Sequence, residues 1–365
     1  MSVAGAAKQV EFSITHASPL SRTIPLTDRI SEYPGRMVEA ELPIRGTISA
    51  FGLRQSFKGD VWHYTDSAGL VGILTDETPP VPSEPVPGSP PIRPYPNGTL
   101  RATAATQLND FSELQYGAQR IIDWYEAEGN ATSGTIREHV PIRFVLNDLL
   151  KQLADNPAFV CCASTTRDSL EHWRGYAGEG GYALRLDAFE TYTLIGRPSV
   201  DTGFMVAPEW VKVRYKPQEQ DELIRAVFEL LLDPSKQMGS IVNSGDQAAA
   251  VVVVQAHLAG LAATLKHPSF EKEDEVRLIV QRPAGVTPSF RPSRRGPVPY
   301  LTLGCAALGN AQSPTVFSRL PVREVLVGPP SGDAMEQRVR GTRMLLDSMG
   351  RTGTPVNMSE LPYLP

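Results

Sequence analysis

Short runs in which apolar and polar residues alternate recur along the chain and predict strands, because the side chains of a strand point to opposite faces in turn. The run AFVCCAST is mostly apolar instead, which also favours a strand. Several of these runs end in Thr, Asp or Pro, which favour turns. The predicted strands are 59–65 (GDVWHYT), 98–108 (GTLRATAATQL), 158–165 (AFVCCAST), 182–187 (YALRLD), 210–215 (WVKVRY), 273–281 (EDEVRLIVQ) and 323–329 (REVLVGP).

Longer segments carry apolar residues three or four positions apart and predict helices. They are 67–77, 109–129, 166–177, 220–233, 245–266 and 332–350. The Pro- and Arg-rich stretch between strands 273–281 and 323–329 predicts a loop. Strands and helices mix without a regular βαβ rhythm or a repeat, so we expect the α+β class rather than a doubly wound sheet.

Proline marks the boundaries within the chain. Residues 1–55 carry scattered Pro and Gly and predict an N-terminal extension of a main domain that covers 56–365. Residues 79–96 hold nine prolines in eighteen positions, which excludes a helix or a central strand. We expect this Pro-rich insertion to be an exposed, semi-stiff loop. A protein partner, if there is one, is expected at the N-terminal extension or at this loop.

Composition excludes several classes of function. A net charge of −5 gives no broad basic surface for duplex nucleic acid. The longest apolar run contains Gln255 and His257, and the first residues lack the pattern of a signal peptide, so we expect a cytoplasmic protein without a membrane span. With three cysteines, no Cys-x-x-Cys pair and no paired histidines, we expect no metal site. Phosphate-loop, dinucleotide and nucleophile-elbow motifs are also absent.

Three short motifs remain as candidate chemistry. They are His63-Tyr64-Thr65 at a strand end, Ser164-Thr165 after an apolar strand, and Glu273-x-Glu275-x-Arg277, where alternation places both glutamates on one strand face. Each has a structural explanation as well: core packing, an N-cap and a solvated face. If they act together, His63, Ser164 and Glu275 should line one cleft between two small sheets.

Together these motifs resemble the site of ADP-ribosyltransferase-type NAD enzymes. The resemblance implies a split mixed sheet surrounded by helices, with NAD as substrate and a glutamate that stabilises the positive charge formed when the ribosyl–nicotinamide bond breaks. In this interpretation Glu275 acts on NAD and Glu273 on the acceptor, with His63 beside them. The expected NAD contacts are His63, Tyr64, Thr65, Asn109, Asp110, Ser164, Thr165, Tyr176 and Arg277.

A longer resemblance, over about residues 60–363, is to the bacterial domain-of-unknown-function family numbered 2971. Asn109-Asp110 with Glu113, Trp173 with Tyr176, and the glutamate motif carry it. The tryptophan usual before the glutamates is replaced by Phe270. The family's name implies no activity.

The expected function is therefore that of an NAD-dependent ADP-ribosyltransferase or NAD glycohydrolase, in a toxin or an anti-phage defence effector. The acceptor would be a protein or a nucleic acid. Two alternatives stay open: a nucleotide-binding sensor without catalysis, and a metal-independent nuclease that uses His63 and the glutamates.

Overall fold

The structure is a computed structural model, and it describes part of the chain: residues 56–76, 97–108, 111–128, 139–177, 180–195, 208–283, 286–293, 296–306, 317–329 and 335–362. All of these residues belong to the second of the two units into which the chain divides, Leu42–Pro365. The predicted N-terminal extension, the Pro-rich insertion, Asn109 and Asp110 lie outside the described residues.

Eight numbered helices lie in the described segments: α1 Ser67–Thr75, α2 Phe111–Glu128, α3 Val140–Leu146, α4 Leu149–Asp155, α5 Pro217–Leu232, α6 Gln237–Val242, α7 Gln247–Ala262 and α8 Met335–Ser348. Local capping explains where two of them begin. The side chains of Asp66 and Asp246 accept hydrogen bonds from the free N–H groups of the first turns of α1 and α7. None of the helices described is both long and apolar enough to cross a bilayer.

Shorter helical pieces complete the list. Two are 3₁₀ turns, Ala105–Gln107 and Pro268–Glu273. The helix predicted at 166–177 is shorter than expected. It consists of a single turn, Leu170–His172, that continues as a π-helical turn, Trp173–Ala177.

The strands form one twelve-stranded mixed sheet. They are β1 Asp60–Thr65, β2 Leu100–Ala104, β3 Phe159–Ser164, β4 Tyr182–Asp187, β5 Tyr192–Leu194, β6 Trp210–Lys212, β7 Glu275–Val280, β8 Ser289–Ser293, β9 Gly296–Ala306, β10 Phe317–Ser318, β11 Val322–Val327 and β12 Val356–Met358. The main path runs β10-β9-β2-β3-β1-β4-β11-β12, while β7 pairs with β3 and β6. The β11–β12 pair is parallel and the other strand pairs are antiparallel. The α+β class is thus confirmed.

The sheet parts along one edge of β3. The other edge of β3 pairs with β7 over its full length. On the parted edge, β2 pairs at Phe159 and Val160, whereas β1 pairs only at Ser164. Cys161, Cys162 and Ala163 therefore lie between two diverging neighbours, and this opening positions the candidate site.

Helices cover both faces of the sheet, each over its own apolar core. On β7, Ile279 packs with α2 to α7, while Val276 and Leu278 face the core beneath α1 and α8. This alternation means that Glu275 and Arg277, which share the face of Ile279, point toward α2 and α7.

One expected loop is wrong. The Pro- and Arg-rich stretch contains the hairpin of β8 and β9, and β9 pairs with four other strands. Its prolines sit at the turn end, where Pro292 lies opposite Pro297 and Phe290 opposite Pro299. Proline lacks an N–H group, but beside a turn this loss leaves most of the ladder intact.

Candidate functional site

A cavity of about 180 Å³ lies where β1 and β2 part along β3, and we call it the sheet cavity. Side chains from five strands (β1, β2, β3, β7 and β8), from α2, from the turns that carry His172 and Tyr176, and from both 3₁₀ turns line it. They include Trp62, His63, Tyr64, Arg101, Thr103, Glu113, Val160, Cys161, Cys162, Ala163, His172, Tyr176, Glu273, Glu275, Arg277 and Arg291. His63, Tyr64, Tyr176, Glu273, Glu275 and Arg277 of the predicted set thus meet around one space.

Five charged side chains form a buried cluster against this cavity, and we call them the charge cluster: Glu113, Lys266, Glu273, Glu275 and Arg277. The Lys266 ammonium lies 2.9 Å from Glu113, 2.7 Å from Glu273 and 3.1 Å from Glu275. The Lys266 side chain is only 1% exposed, so these three carboxylates replace its water.

Arg277 completes the cluster on the strand side. Its Nε and Nη2 donate to the two oxygens of Glu275 at 2.9 and 2.8 Å, a bidentate pair between neighbours on one strand face. Its Nη2 also donates to Glu113 at 2.7 Å, and its Nη1 donates to the carbonyl of Ala263 at 2.8 Å. The arginine therefore ties β7 to α2 and to the end of α7.

These contacts set the ionisation of the cluster. Burial acts to raise the pKa of Glu275, but Arg277 and Lys266 outweigh it and lower that pKa to about 2. Burial alone would lower the pKa of Lys266, and the carboxylates, Glu275 first, raise it instead. Glu275 is consequently a carboxylate and Lys266 an ammonium at neutral pH.

Of the two motif glutamates, Glu273 and Glu275, Glu273 is the more exposed. Its side chain is 17% exposed against 6% for Glu275. Lys266 donates to its Oε2 at 2.7 Å and the Tyr176 hydroxyl donates to the same oxygen at 3.0 Å. These two hydrogen bonds to Oε2 thus orient the Glu273 carboxylate.

The backbone between the two glutamates differs from the expected strand. Glu273 ends the 3₁₀ turn and β7 begins at Glu275, so simple alternation does not relate them. Asp274 between them has φ 39° and ψ 51°, in the left-handed region that non-glycine residues rarely adopt. Its side chain accepts from the hydroxyl of Thr165, and Lys212 lies 3.8 Å away. This turn brings both carboxylates to Lys266.

Three neighbouring rings form another wall. Tyr64 and His172 stack with centroids 4.8 Å apart, and the ring of Tyr176 follows at 5.9 Å from His172, tilted by 32°. The Tyr64 hydroxyl donates toward the carbonyls of Thr166 and Arg167, so this residue is held in the protein interior. Tyr176 is the outermost of the three rings and is 39% exposed. A flat ring could stack on it there.

His63 lies in the opening of the sheet itself. Its Nδ1 is 2.7 Å from the carbonyl oxygen of Cys162, on the part of β3 that has no strand partner on this side. Burial lowers the pKa of His63, against the opposing effect of this hydrogen bond. The imidazole is therefore neutral at pH 7, with its proton on Nδ1 and an acceptor lone pair on Nε2.

Two arginines lie elsewhere on the cavity wall. Arg101 on β2 pairs with Asp76 at 3.2 Å and stacks over the ring of Tyr300 at 5.0 Å. Arg291 lies on β8, a strand that the sequence pattern did not predict. The cavity thus has cationic side chains that are separate from the charge cluster.

Three predicted NAD contacts lie outside the cavity wall: Ser164 and Thr165 bond the turn at Asp274, and Thr65 ends β1. Ser164 is fully buried, and its hydroxyl donates to the carbonyl of Glu273 at 2.8 Å while it accepts from the N–H of Thr166. Thr165 bonds Asp274, and Thr65 is not among the lining residues. The expected cleft of His63, Ser164 and Glu275 between two sheets is corrected accordingly: one sheet parts, and Ser164 holds the turn beneath Glu273.

Sequence reasoning missed the residue at the centre of the cluster. Lys266 follows the apolar helix α7, where a lysine is ordinarily a solvated charge near a helix end. His172, Arg101 and Arg291 were also missed as lining residues, and the sequence gives Glu113 only as part of the family resemblance. Its position one turn into α2, facing two cations, shows that it lines the site.

Comparison with known families supports part of the expected resemblance. Residues 172–278 match the family model described as Protein of unknown function (DUF2971), a shorter stretch than the expected 60–363. No curated protein and no solved structure is significantly similar to the chain. The matched segment contains Tyr176, Lys266 and the Glu273–Arg277 motif, so the similarity to this family covers most of the charge cluster.

Proposed function

We propose that the sheet cavity binds NAD and breaks the bond between its ribose and nicotinamide, passing ADP-ribose to water or to a macromolecular acceptor. The observation that carries the proposal is the carboxylate of Glu273, held by Lys266 and Tyr176 at a cavity with an aromatic wall. The parted sheet and the helices around it are also consistent with an ADP-ribosyltransferase-like fold, which we propose as the finer description.

The chemistry needs a fixed negative charge. When the C1′–N bond of NAD breaks, nicotinamide leaves as a neutral base with the bonding electron pair, and positive charge develops on the ribose. A carboxylate already oriented in a site with little water stabilises that charge without reorganisation. Water or an acceptor hydroxyl then bonds to C1′ and loses its proton, so hydrolysis yields ADP-ribose, nicotinamide and one proton.

We assign the two glutamates differently from the expectation based on the motif. Both oxygens of Glu275 accept from Arg277, and Lys266 donates to one of them. Such a carboxylate is largely neutralised and acts as a positioning residue for Arg277 and Lys266. Glu273 keeps more exposure and carries the charge that faces the ligand, so we assign the stabilisation of the cation to Glu273.

The other walls suit the remaining parts of NAD. Tyr176 is the outermost of three neighbouring rings, and a nicotinamide ring can stack on its exposed face. The Nε2 of neutral His63 can accept from a ribose hydroxyl, whereas a neutral imidazole is a poor partner for phosphate. Arg101 and Arg291 line the cavity as cations and suit the diphosphate.

The test is release of nicotinamide from NAD by the purified chain, measured by chromatography. Glu273→Gln keeps the shape and removes the charge, so release should fall roughly a hundredfold. Binding of NAD should change little, because the ground state gains less from the charge than the transition state does.

Glu271→Gln is the matched control, since Glu271 lies on the same 3₁₀ turn with its side chain 56% exposed and pairs with Lys216 at 3.7 Å. This control should release nicotinamide at the rate of the unmodified chain. If Glu273→Gln also did so while folded, the assignment of Glu273 would be wrong. NAD that binds the unmodified chain tightly without any release of nicotinamide would favour the nucleotide sensor.

A further inference from the structure

A second pocket, of about 470 Å³, shares none of its lining residues with the sheet cavity. Its wall is formed by residues 189–191 after β4, residues 318–323 around the start of β11, and Arg351 after α8. Three arginines line it, Arg319, Arg323 and Arg351, together with one acid, Glu190. We call it the arginine pocket, and its lining carries a surplus of positive charge.

Arg351 is a buried cation with neutral partners. Arg351 is only 7% exposed. Its guanidinium donates to the carbonyls of Leu320 and Asn97, both at 2.9 Å. Within the described residues no carboxylate forms an ion pair with it, and its buried Nε has no hydrogen-bond partner. Burying a charge without an opposite charge is unfavourable, so an anion in this pocket would stabilise Arg351.

The neighbouring arginines add donors to the same space. Arg323 donates to Asp187 at 2.8 Å through Nη2, and the same nitrogen lies 4.0 Å from Glu190, so both acids pair with one nitrogen and the N–H groups on Nε and Nη1 can meet another acceptor. Arg319 donates to the backbone carbonyls of Met349 and Gly350. Burial, and next the charge of Arg319, lower the pKa of Arg351 to about 10, as expected for two cations close together.

An aromatic ring stands beside these donors. Phe189 lines the pocket from the turn after β4 and is 67% exposed. A large apolar side chain this exposed gains nothing from the solvent, whereas a planar base can stack on its ring. Phosphate donors and an exposed ring in one pocket match the two ends of a nucleotide.

We propose that the arginine pocket is a second ligand site that binds a nucleotide, with its phosphates on the three arginines and its base against Phe189. This site is independent of the proposed cleavage of NAD, because it shares no residue with the sheet cavity. Its ligand is held by charge and stacking, and no bond is made or broken.

The experiment is titration calorimetry of the full chain with inorganic pyrophosphate and, separately, with ADP. The double variant Arg319→Gln/Arg323→Gln should bind both ligands at least about tenfold more weakly, because the loss of one charge-assisted hydrogen bond raises Kd by about that factor. Arg340→Gln/Arg343→Gln removes two exposed arginines from α8 and is the matched control for net charge. Phe189→Ala should weaken ADP about tenfold and leave pyrophosphate unchanged.

Each outcome decides the proposal. Absence of pyrophosphate binding at millimolar concentration, or equal weakening in both double variants, would overturn it and leave Arg351 as a brace between two loops. ADP that binds no tighter than pyrophosphate would overturn the nucleotide assignment. Because the readout is binding and no nicotinamide is measured, failure of the proposed NAD chemistry would not affect this result.

Discussion

Replacing Lys266 with methionine is the sharpest test of the charge cluster. Methionine has a similar length and keeps the buried stem, but it removes the ammonium that lies within 3.1 Å of three carboxylates. The cluster then holds Glu113, Glu273 and Glu275 with Arg277 alone. Leaving a buried charge without its partner costs about 3–5 kcal/mol.

Protonation limits that loss. The folded variant can avoid the repulsion by protonating one glutamate, whose ordinary pKa is 4.5. At pH 7 this proton costs about 3 kcal/mol, and at pH 5 it costs less than about 1 kcal/mol. We therefore expect Lys266→Met to lose about 3 kcal/mol of unfolding free energy at pH 7 and much less at pH 5.

The direction in which the unfolding free energy changes with pH distinguishes the variant from the unmodified chain. In the variant one carboxyl has a folded pKa above its unfolded value, so its contribution is present below the unfolded pKa and is lost as pH rises. In the unmodified chain the depressed pKa of Glu275, about 2, gives stability that is present above 4.5 and is lost as pH falls toward 2. Between pH 5 and 7, only the variant should lose stability as pH rises because of this cluster.

The measurement is urea unfolding followed by the fluorescence of the four tryptophans, at pH 5 and pH 7. Urea is preferred to guanidinium chloride because a salt would screen the charges. Lys272→Met is the control, since Lys272 is 83% exposed and lies 3.9 Å from Glu171, and it should change stability by less than about 0.5 kcal/mol. A loss below about 1 kcal/mol at pH 7 for Lys266→Met, or an equal loss at both pH values, would refute the electrostatic account.

Three further predictions test the frame around the site, the first two by the same unfolding assay and the third by proteolysis. Gly117→Ala places a methyl group 2.3 Å from the carbonyl of Ala262 where α2 meets α7, and should destabilise by about 1–3 kcal/mol, whereas Gly341→Ala in open space on α8 should stabilise by up to about 1 kcal/mol. Equal effects at the two glycines would contradict this close helix contact. Tyr64→Phe removes a hydroxyl bonded to two carbonyls and should cost about 1–3 kcal/mol; no change would mean that those carbonyls are satisfied otherwise. Asp168→Asn weakens the acceptor for Trp173, Ser359 and Glu360, so we expect faster proteolysis near residue 360, and an unchanged rate would argue against this anchor.

The strand pattern predicted much of the site because side-chain direction follows from alternation. On β7 the pattern places Glu275 and Arg277 on one face, and the structure pairs them with each other and with α2. On β1 it separates His63 from Tyr64, which packs against Trp173 and His172. These predictions need only local geometry.

What the pattern could not predict depends on distant partners. A lysine after an apolar helix is ordinarily solvated, and Lys266 is buried only because α2, the 3₁₀ turn and β7 each bring a carboxylate to it. Ser164 and Thr165 looked available for a ligand, but the left-handed turn at Asp274 uses their hydroxyls. The prolines of β9 concealed a strand because most of its pairing lies beyond them.

The charge cluster itself argues for a function at the sheet cavity. Buried ion pairs are weak contributors to stability, and apolar side chains of the same volume often hold a core equally well or better by about 1–4 kcal/mol. Five charged groups at the edge of a cavity are therefore not explained by folding alone. They do what apolar side chains cannot: Arg277 orients Glu275, Glu275 accepts from Lys266, and Lys266 with Tyr176 holds the Glu273 carboxylate toward the cavity. Removing the charge of Lys266, Glu275 or Arg277 should disturb the orientation of Glu273 before it disturbs the sheet, since the strands are paired through their backbones.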